Sequence, residues 1–281
     1  PDSPLLCRRA PIMHASRPGS PDLLQRLDLL KVEIDGAIAS VRLNRAAKRN
    51  ALSDPMITQL HTCFVNLPDS VRAVVLSGEG EHFCAGLDLS ELSEHSVAGG
   101  VAHSRFWHAA FDQVQFGRAP VVAVLRGAVV GGGLELASAA HIRVAEDSAI
   151  YALPEGQRGL FVGGGGSARV PRLIGFSRMA DMMLTGRVLD ADEGQQAGLS
   201  QYRVAAGQWL SKAMELARRI AENAPMSNFA VMHALPRIAD MSQSDGLFVE
   251  SLMAAIAQAE PAAKDRMRAF LEGRARKVRK A

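Results

Sequence analysis

The sequence predicts a mixed α/β fold with a parallel sheet, followed by a helical C-terminal region. Two stretches, residues 73–77 and 121–125, are short, apolar and uncharged, and each runs into a glycine turn and then a helical segment. That order is typical of buried parallel strands whose carboxyl ends carry turns. From residue 167 onward, apolar residues recur at helical spacing instead.

The elements follow in order from a hairpin at the start of the fold. Residues 29–34 and 38–43 alternate as strands do, and Asp35-Gly36 between them is a dipeptide favoured in tight turns. Ser53, Asp54 and Pro55 then mark a helix start. The predicted later elements are helix 56–67, strand 73–77, helix 101–116, strand 121–125, a helix after Gly132, strands 141–145 and 149–152, and helices 179–184, 190–197, 208–223, 227–235 and 246–257.

Three regions are predicted from this order. Residues 1–20 form an N-terminal extension that is expected to be disordered, with Arg8, Arg9 and Arg17 against the single acid Asp2. Residues 21–205 form the mixed core, and residues 206–281 form the helical C-terminal region. The apolar faces of these helices are too rich in Leu, Met and Ala to stand free, so they are expected to pack on the core or on another subunit.

Composition excludes several classes of protein. The chain has 281 residues, 48% hydrophobic and 22% charged, which is ordinary for a globular protein. No apolar run is long enough to span a bilayer, so no membrane association is expected. The net charge is only +3, and the basic C-terminal tail lacks the interleaved aromatic residues that single-stranded nucleic-acid binding favours. Nucleic acid is therefore not an expected partner.

Cysteine usage indicates a reducing compartment. Cys7, Cys63 and Cys84 show no CxxC spacing, so neither a zinc site nor a disulfide framework is indicated. The expected location is the cytoplasm, with an organelle matrix as the alternative.

The segment GAVVGGGLELASAA, residues 127–140, is the first candidate site. Its glycines let a ligand approach the backbone, and the first amides of the following helix lack partners within that helix. Glu135 places one carboxylate in an otherwise apolar first turn. It either satisfies free amides as a cap or takes part in catalysis, and this stretch alone does not separate the two.

The segment HFCAGLDL, residues 82–89, repeats the arrangement of strand, turn and helix. Gly86 gives a flexible backbone position, so the amide of Leu87 could face the same pocket as that of Gly132 and form an oxyanion hole. The alternative is an ordinary loop around a buried Cys84. His82 and Asp88 have no partner that spacing identifies, so no acid–base role is assigned to either.

A second acid, Glu155, follows Pro154 twenty residues after Glu135. The intervening helix, strands and turn could fold back so that both acids face one pocket, although an acid after a proline is also common at a helix start. The glycine run 163–166 lacks the Lys and Ser of a phosphate-binding loop and the spacing of a dinucleotide fingerprint, and it could be a flexible linker. Trp107 and Phe111 lie on one side of a helix and are interpreted as core.

With these residues in hand, the chain resembles the crotonase superfamily, the enoyl-CoA hydratase and isomerase group, over residues 29–274. The motifs LNRAAKRNAL, HFCAGLDL, GAVVGGGLELA, LPEGQRGLFVGGGG and LTGRVLDADEGQQAGL occur in the order of that family. The resemblance implies a crotonase-like spiral of repeated ββα units and a helical C-terminal trimerisation region. It also implies a homotrimer, often a dimer of trimers.

The resemblance also implies roles for individual residues. The amides of Leu87 and Gly132 would form the oxyanion hole, Glu135 and Glu155 would be the two catalytic glutamates, and the backbone of Gly163 would help to place the catalytic water. The coenzyme A (CoA) channel would be lined by Lys48, Arg49, Ala51, Ala85, Asp88 and Gly131. No metal and no cofactor beyond the CoA of the substrate is implied.

Three departures from the family pattern stand near these motifs. His141 occupies a position where many hydratases have an aspartate, Val162 replaces a common proline, and Gly156-Gln157-Arg158 is an unusual continuation after Glu155. They are expected to alter the surroundings of the site and the acyl pocket.

The expected activity is that of an enoyl-CoA hydratase, a lyase of fatty acid metabolism that adds water to a trans-2-enoyl-CoA. The alternatives are double-bond isomerisation or another acyl-CoA reaction on the same scaffold and, from a different class, a catalytically silent binding or assembly protein. Two acids favour hydration, because a pure proton shuttle can work with one.

Overall fold

The computed structural model describes residues 21–91 and 96–274. The extension predicted for residues 1–20 and most of the basic C-terminal tail lie outside these ranges. Among the described residues, no helix combines the length and apolar character that a membrane crossing requires.

A six-stranded sheet forms the centre of the fold, with strand order β1-β2-β3-β4-β6-β8. The strands β1 and β2 form the predicted antiparallel hairpin, and every other neighbouring pair is parallel. The three-residue β8 is not predicted by the sequence pattern, because so short a strand has no readable periodicity. The strands are β1 (Leu30–Asp35), β2 (Ile38–Leu43), β3 (Ala73–Gly78), β4 (Val121–Leu125), β6 (Ile142–Glu146) and β8 (Tyr202–Val204).

A second, shorter layer follows the strands of the main sheet. Strands β5 (Ala128–Val130) and β7 (Ile150–Ala152) pair in parallel, and single bridges join Leu52 to Leu87 and Cys84 to Val129. Each of β2, β3, β4 and β6 is therefore followed by an extended segment of this layer before the chain turns into a helix. This is the repeated ββα arrangement that the family resemblance implies.

The helices of the core follow these strands, and several begin at side-chain caps. The Ser53 hydroxyl accepts from the Met56 amide, and Asp190 and Glu193 form a reciprocal capping box. The sequence pattern does not predict α5, which starts in the glycine run for which a flexible linker is one of the alternatives. The helices are α1 (Pro21–Gln25), α2 (Asp54–Val65), α3 (Val97–Phe116), α4 (Gly132–Ala139), α5 (Gly166–Ile174), α6 (Phe176–Thr185) and α7 (Ala191–Ala197).

The C-terminal region is helical, as predicted. The predicted helix 227–235 ends before Pro236, and the structure has a π-helical turn, Ala230–Ala234, two residues before that proline. A wider turn accommodates a proline, which lacks an amide hydrogen and crowds the preceding turn. The helices are α8 (Trp209–Ala221), α9 (Pro225–Phe229), α10 (Leu235–Ala239), α11 (Gln243–Ala259) and α12 (Pro261–Leu271).

Two apolar clusters hold these layers together. The larger one fills the space between the two strand layers and helices α2 to α7. The smaller one lies on the other face of the sheet, where Val75, Val122 and Val124 pack against Leu216 and Ala217 of α8. The division predicted at residue 205 stays a prediction, although α8 packs on the sheet from beyond it.

Candidate active site

Two backbone turns meet at the carboxyl ends of the strands. The first contains Gly86 with φ 92° and the second Gly131 with φ 52°, conformations that side chains with a Cβ rarely adopt. A Cβ placed on Gly132 would lie 3.5 Å from the Leu87 nitrogen, so the two predicted donor amides are close together. Within the described residues, neither N–H donates to another protein group. Both residues line one cavity, where such amides can stabilise negative charge.

Glu135 lies in the first turn of α4 and is only 3% exposed. Its Oε1 accepts hydrogen bonds from the amides of Gly164 and Gly166, both at 2.8 Å. The amide-capping interpretation is therefore correct for the start of α5 and not for the helix that carries Glu135. Burial raises the pKa of Glu135, and the two amides act in the opposite direction because they favour the charged form.

Glu155 follows Pro154 and precedes a short 3₁₀ turn, Gly156–Arg158. Its side chain points into the same cavity as Glu135 and contacts the Gly131 backbone so closely that a Cβ there would lie 2.6 Å from Oε1. The other oxygen, Oε2, is buried and has no protein hydrogen-bond partner within the described residues. Burial raises the pKa of Glu155, and the positive charge of Arg158 opposes that shift.

The cavity between these groups has a volume of about 400 Å³. The predicted residues that line it are Ala85, Leu87, Gly131, Gly132, Glu135, Glu155 and Gly163, which the fold brings together from four separate segments. Its apolar wall includes Trp107, Leu160 and Phe161. An apolar enclosure with two acids and two unpartnered amides can bind a carbonyl compound and move protons at it.

Comparison with known proteins decides the family. The family model for enoyl-CoA hydratase/isomerase matches residues 33–279. The chain belongs to the enoyl-CoA hydratase/isomerase family. This result confirms the resemblance to the crotonase superfamily.

Relatives and solved structures agree with that membership. The enoyl-CoA hydratase EchA19 of Mycobacterium tuberculosis is 32% identical over 250 residues, which is 87% of this chain and 94% of the relative. A provisionally named enoyl-CoA hydratase from Rhodopseudomonas palustris CGA009 is 57% identical, with a TM-score of 0.86 over 88% of this chain and 96% of that one. A protein from Thermobifida fusca YX, also provisionally named an enoyl-CoA hydratase, has been solved in complex with acetoacetyl-CoA. It is 26% identical, with a TM-score of 0.77 over 86% of this chain and 99% of that one.

The family's CoA-binding positions fall into two groups in this chain. Ala85 and Gly131 line the cavity, whereas Lys48 and Arg49 lie exposed on the neighbouring loop. Arg49 has φ 51°, and its carbonyl accepts from the Ala85 amide at 3.0 Å, which fixes this loop against the cavity wall. Ala51 is buried behind that contact.

Asp88 does not line the cavity. It is buried, and Arg45 Nη2 lies 2.7 Å from its Oδ2. Hydrogen bonds from the side chain and amide of Ser90, together with the Arg45 guanidinium, lower the pKa of Asp88 to about 2. Its contacts in this structure therefore fix the loop that leaves the Leu87 turn. A role in binding CoA stays a prediction.

Gly163 lines the cavity, and its carbonyl accepts a hydrogen bond from the Ser104 hydroxyl at 2.6 Å. The next amide, that of Gly164, is occupied by Glu135. Placement of a water by Gly163 stays a prediction, and Ser104 emerges as the side chain that fixes this backbone.

Besides Ser104, sequence patterns miss Asp54 and His103 as polar residues of the cavity wall. Asp54 Oδ1 accepts from the Trp107 indole at 3.3 Å and lies 2.9 Å from His103 Nε2, and all three residues line the cavity. Trp107 is 4% exposed, so it is both core and cavity wall, and its interpretation as core alone is incomplete. The available signal is the helical spacing of His103 and Trp107 on one face of α3.

Two of the departures from the family pattern, His141 and Val162, lie outside the cavity lining, whereas Arg158 of the third departure lines the cavity. His141 Nδ1 accepts from the Val121 amide and Nε2 lies 3.0 Å from the Gln115 carbonyl, which joins the start of β4 to the end of α3. Burial lowers the pKa of His141 to about 4. His82 makes a similar link, because its Nδ1 accepts from the Ala128 amide. Val162 is buried near the glycine run.

Proposed function

We propose that the protein is an enoyl-CoA hydratase, which adds water across the double bond of a trans-2-enoyl-CoA to give a 3-hydroxyacyl-CoA. The observation that carries the proposal is the cavity itself, which is lined by the buried Glu135, the half-buried Glu155 and two amides that have no acceptor within the described residues. Hydration needs a polarised thioester carbonyl, an activated water and a proton for the α carbon, and this set of groups can supply all three.

The two amides would receive the thioester oxygen. As the water attacks the β carbon, negative charge moves onto that oxygen, and the N–H groups of Leu87 and Gly132 stabilise it most strongly at that point. Gly132 is the first residue of α4, so the positive end of the helix adds to this stabilisation.

The different surroundings of the two glutamates support different proton roles. Glu135 accepts two amide hydrogen bonds and faces the charge of Arg169, both of which favour its ionised form. In the proposed reaction its carboxylate takes a proton from the attacking water. Glu155 has one buried oxygen with no protein partner in the described chain, which favours its protonated form, and it delivers a proton to the α carbon. Glu135 then releases to solvent the proton that it took from water, and Glu155 takes up a proton from solvent. Both groups are thereby back in their starting protonation states.

Binding of the CoA moiety belongs to the same proposal. The acetoacetyl-CoA complex of the Thermobifida fusca relative supports it, because that chain shares the fold. We place the phosphates near the exposed Lys48 and Arg49 and the pantetheine along Ala85 and Gly131. The reaction as written needs no metal and no redox cofactor, since every step is a proton transfer or an addition.

We also propose that the chain forms a homotrimer or a dimer of trimers. The C-terminal helices support this, because a set of large apolar side chains on α11 and α12 is at least half exposed in the single chain: Leu247, Phe248, Leu252, Ile256, Phe270 and Leu271. Light scattering after gel filtration would measure the mass, and a monomer at micromolar concentration would contradict the proposal.

Glutamine variants test the activity. Glu135→Gln and Glu155→Gln keep shape and hydrogen bonding but remove proton exchange, so each should lose most water addition. The double variant should lose little more than the worse single variant, because both groups serve one transition state. Glu222→Gln, at an exposed acid outside the cavity, is the matched control.

The assays separate hydration from its alternatives. A panel of short, long, branched and aromatic enoyl-CoAs is followed by mass, since hydration adds water and isomerisation does not, and exchange of deuterium at the α carbon is measured separately. The hydratase assignment fails if Glu155→Gln keeps wild-type water addition. It also fails if the wild-type protein moves the double bond without a gain of water, which would indicate an isomerase, or leaves every compound unchanged.

A further inference from the structure

The loop that holds Glu135 consists of four glycines, Gly163–Gly166. Gly165 has φ 99°, and glycine backbones have more conformational freedom than any other residue. Two amides of this loop nevertheless meet one carboxylate oxygen at 2.8 Å each. A segment without side chains needs an outside contact to keep that geometry.

Arg169, one turn into α5, makes one such contact, in addition to that of the Ser104 hydroxyl with the Gly163 carbonyl. The Arg169 Nη1 donates to the carbonyl of Gly164, the residue whose amide binds Glu135, at 3.1 Å. The guanidinium is held in turn by α3, where Gln115 Oε1 accepts from Nε and Asp112 Oδ1 from Nη2, both at 2.6 Å. Its side chain is 11% exposed, so the fork is fixed between the two helices.

A second contact fixes the α3 end of this arrangement. The Gln115 carbonyl lies 3.0 Å from His141 Nε2, and His141 Nδ1 accepts from the Val121 amide. The chain of contacts therefore runs from the central sheet through His141, Gln115 and Arg169 to the glycine loop. Each contact has hydrogen-bond geometry. Displacement of Arg169 would therefore remove the contact at the Gly164 carbonyl, while the Ser104 hydroxyl would still bind the Gly163 carbonyl.

We propose that Arg169 is a positioning residue for the reaction, because it holds the glycine loop whose amides orient the Glu135 carboxylate toward the bound water. The inference rests on the proposed function for its catalytic consequence. Its structural consequence, an ordered glycine loop, is independent of the reaction.

Several charges face these groups. Glu135 faces Glu155 and Arg169, and Arg169 faces Asp112 and Glu135. Loss of the Arg169 charge removes an influence that lowers the pKa of Glu135, so the acidic limb of the kcat profile should move to higher pH. The His108 ring also lies near this loop, with its Cδ2 3.7 Å from the position of a Cβ on Gly165.

The test compares Arg169→Met and Arg169→Lys with Arg172→Met as the control. Arg172 lies on the same helix, but its side chain is 61% exposed and pairs with Asp240. Each folded variant is assayed with crotonyl-CoA, or with the enoyl-CoA that the wild-type protein prefers. Hydrogen–deuterium exchange of the peptide that covers residues 161–170 gives a second readout that does not need activity.

Arg169→Met should lower kcat by about 10²-fold, as expected for small misplacement of a catalytic group, with KM within about twofold of wild type. The loop peptide should exchange faster. Arg169→Lys keeps the positive charge but loses the guanidinium that makes three hydrogen bonds. Its kcat should therefore fall, while its pH profile should stay close to that of the wild-type protein. Arg172→Met should change neither readout. If Arg169→Met does not fold, Asp112→Asn loosens the same fork and should shift both readouts in the same direction.

Unchanged exchange of the loop, or a folded Arg169→Met variant with kcat within about twofold of wild type, would overturn the inference. So would a loss of activity that follows a lowered melting temperature and is recovered on cooling. If the wild-type protein adds no water to any enoyl-CoA, the proposed function fails, and the exchange experiment alone then decides whether Arg169 orders the loop.

Discussion

His141 gives the protein a specific sensitivity to acid. The ring is held, partly buried, between the Val121 amide, which donates to Nδ1, and the Gln115 carbonyl, which accepts from Nε2–H, so the neutral imidazole is the form that the site fits. Protonation at Nδ1 would put a donor against a donor and a charge in an apolar interior. The neighbouring charges act in the same direction, because Arg143 and His233 both disfavour a cation there.

The magnitude follows from the pKa. Burial lowers the pKa of His141 from 6.5 to about 4. At about 1.4 kcal/mol for each tenfold change in proton affinity, this corresponds to about 3 kcal/mol. The folded pKa is depressed, so the unfolded chain binds the proton more readily. The contribution to stability is therefore present above pH 6.5 and is lost as the pH falls from 6.5 toward 4, most of it by about pH 4.5.

The assay is urea unfolding of the wild-type protein and of His141→Gln at fixed protein concentration, at several values between pH 7.5 and 4.5. Glutamine keeps one acceptor and one donor but does not titrate in this range. The difference between the two proteins isolates the histidine, because Glu135, Glu155 and His233 titrate in both. The wild-type protein should lose about 2 to 3 kcal/mol more than the variant across this range. Parallel pH dependences would refute a neutral His141.

Two further predictions concern the backbone turn and the basic loop. Gly133→Ala should destabilise the fold by about 1 to 3 kcal/mol in urea unfolding, because its Cβ would collide with the Cys84 carbonyl oxygen. Gly100→Ala is the control, since a Cβ on Gly100 would have open space around it. Equal stability of the two variants would contradict this contact. The double variant Lys48→Ala with Arg49→Ala should raise KM for an enoyl-CoA, more so at low salt, and leave kcat nearly unchanged. If its KM equals that of the wild-type protein at every ionic strength, the phosphate site lies elsewhere.

The elements that sequence predicts well are those whose own residues carry the signal. The apolar runs of β3 and β4 and the turn at Asp35-Gly36 predict strands and a hairpin almost at their observed bounds. Helix α5 carries no such signal, since it starts at Gly166 inside a run that is equally typical of a linker. Its first amide is satisfied by Glu135, 31 residues earlier, and a local pattern cannot contain that contact.

The site divides in the same way. Glycine turns after strands, each followed by an acid or a free amide, predict that Leu87, Gly132, Glu135 and Glu155 belong to one pocket, and the structure brings them together. The contacts that give these groups different chemistry are distant in sequence. Arg169 reaches Asp112 over 57 residues, for example, and Trp107 reaches Asp54 over 53. Tertiary packing alone sets such pairs, so sequence could name the acids but not their surroundings.

The glycine run shows how one feature can serve both the fold and the reaction. A Cβ on Gly166 would lie 2.7 Å from the Glu135 Cγ, and one on Gly164 would lie 2.9 Å from the Phe111 ring, so only glycine allows the backbone to reach this carboxylate. Amides at the start of α5 have no partner within the helix, and here they donate to the Glu135 carboxylate. Burial alone would keep this acid neutral, whereas these hydrogen bonds favour its charged form. On Glu155, in the same cavity, the residue's own amide acts as a hydrogen-bond donor, and Oε2 has no partner within the described residues. Two chemically identical side chains therefore have different hydrogen-bond surroundings, and surroundings that separate two pKa values are what a paired acid and base require.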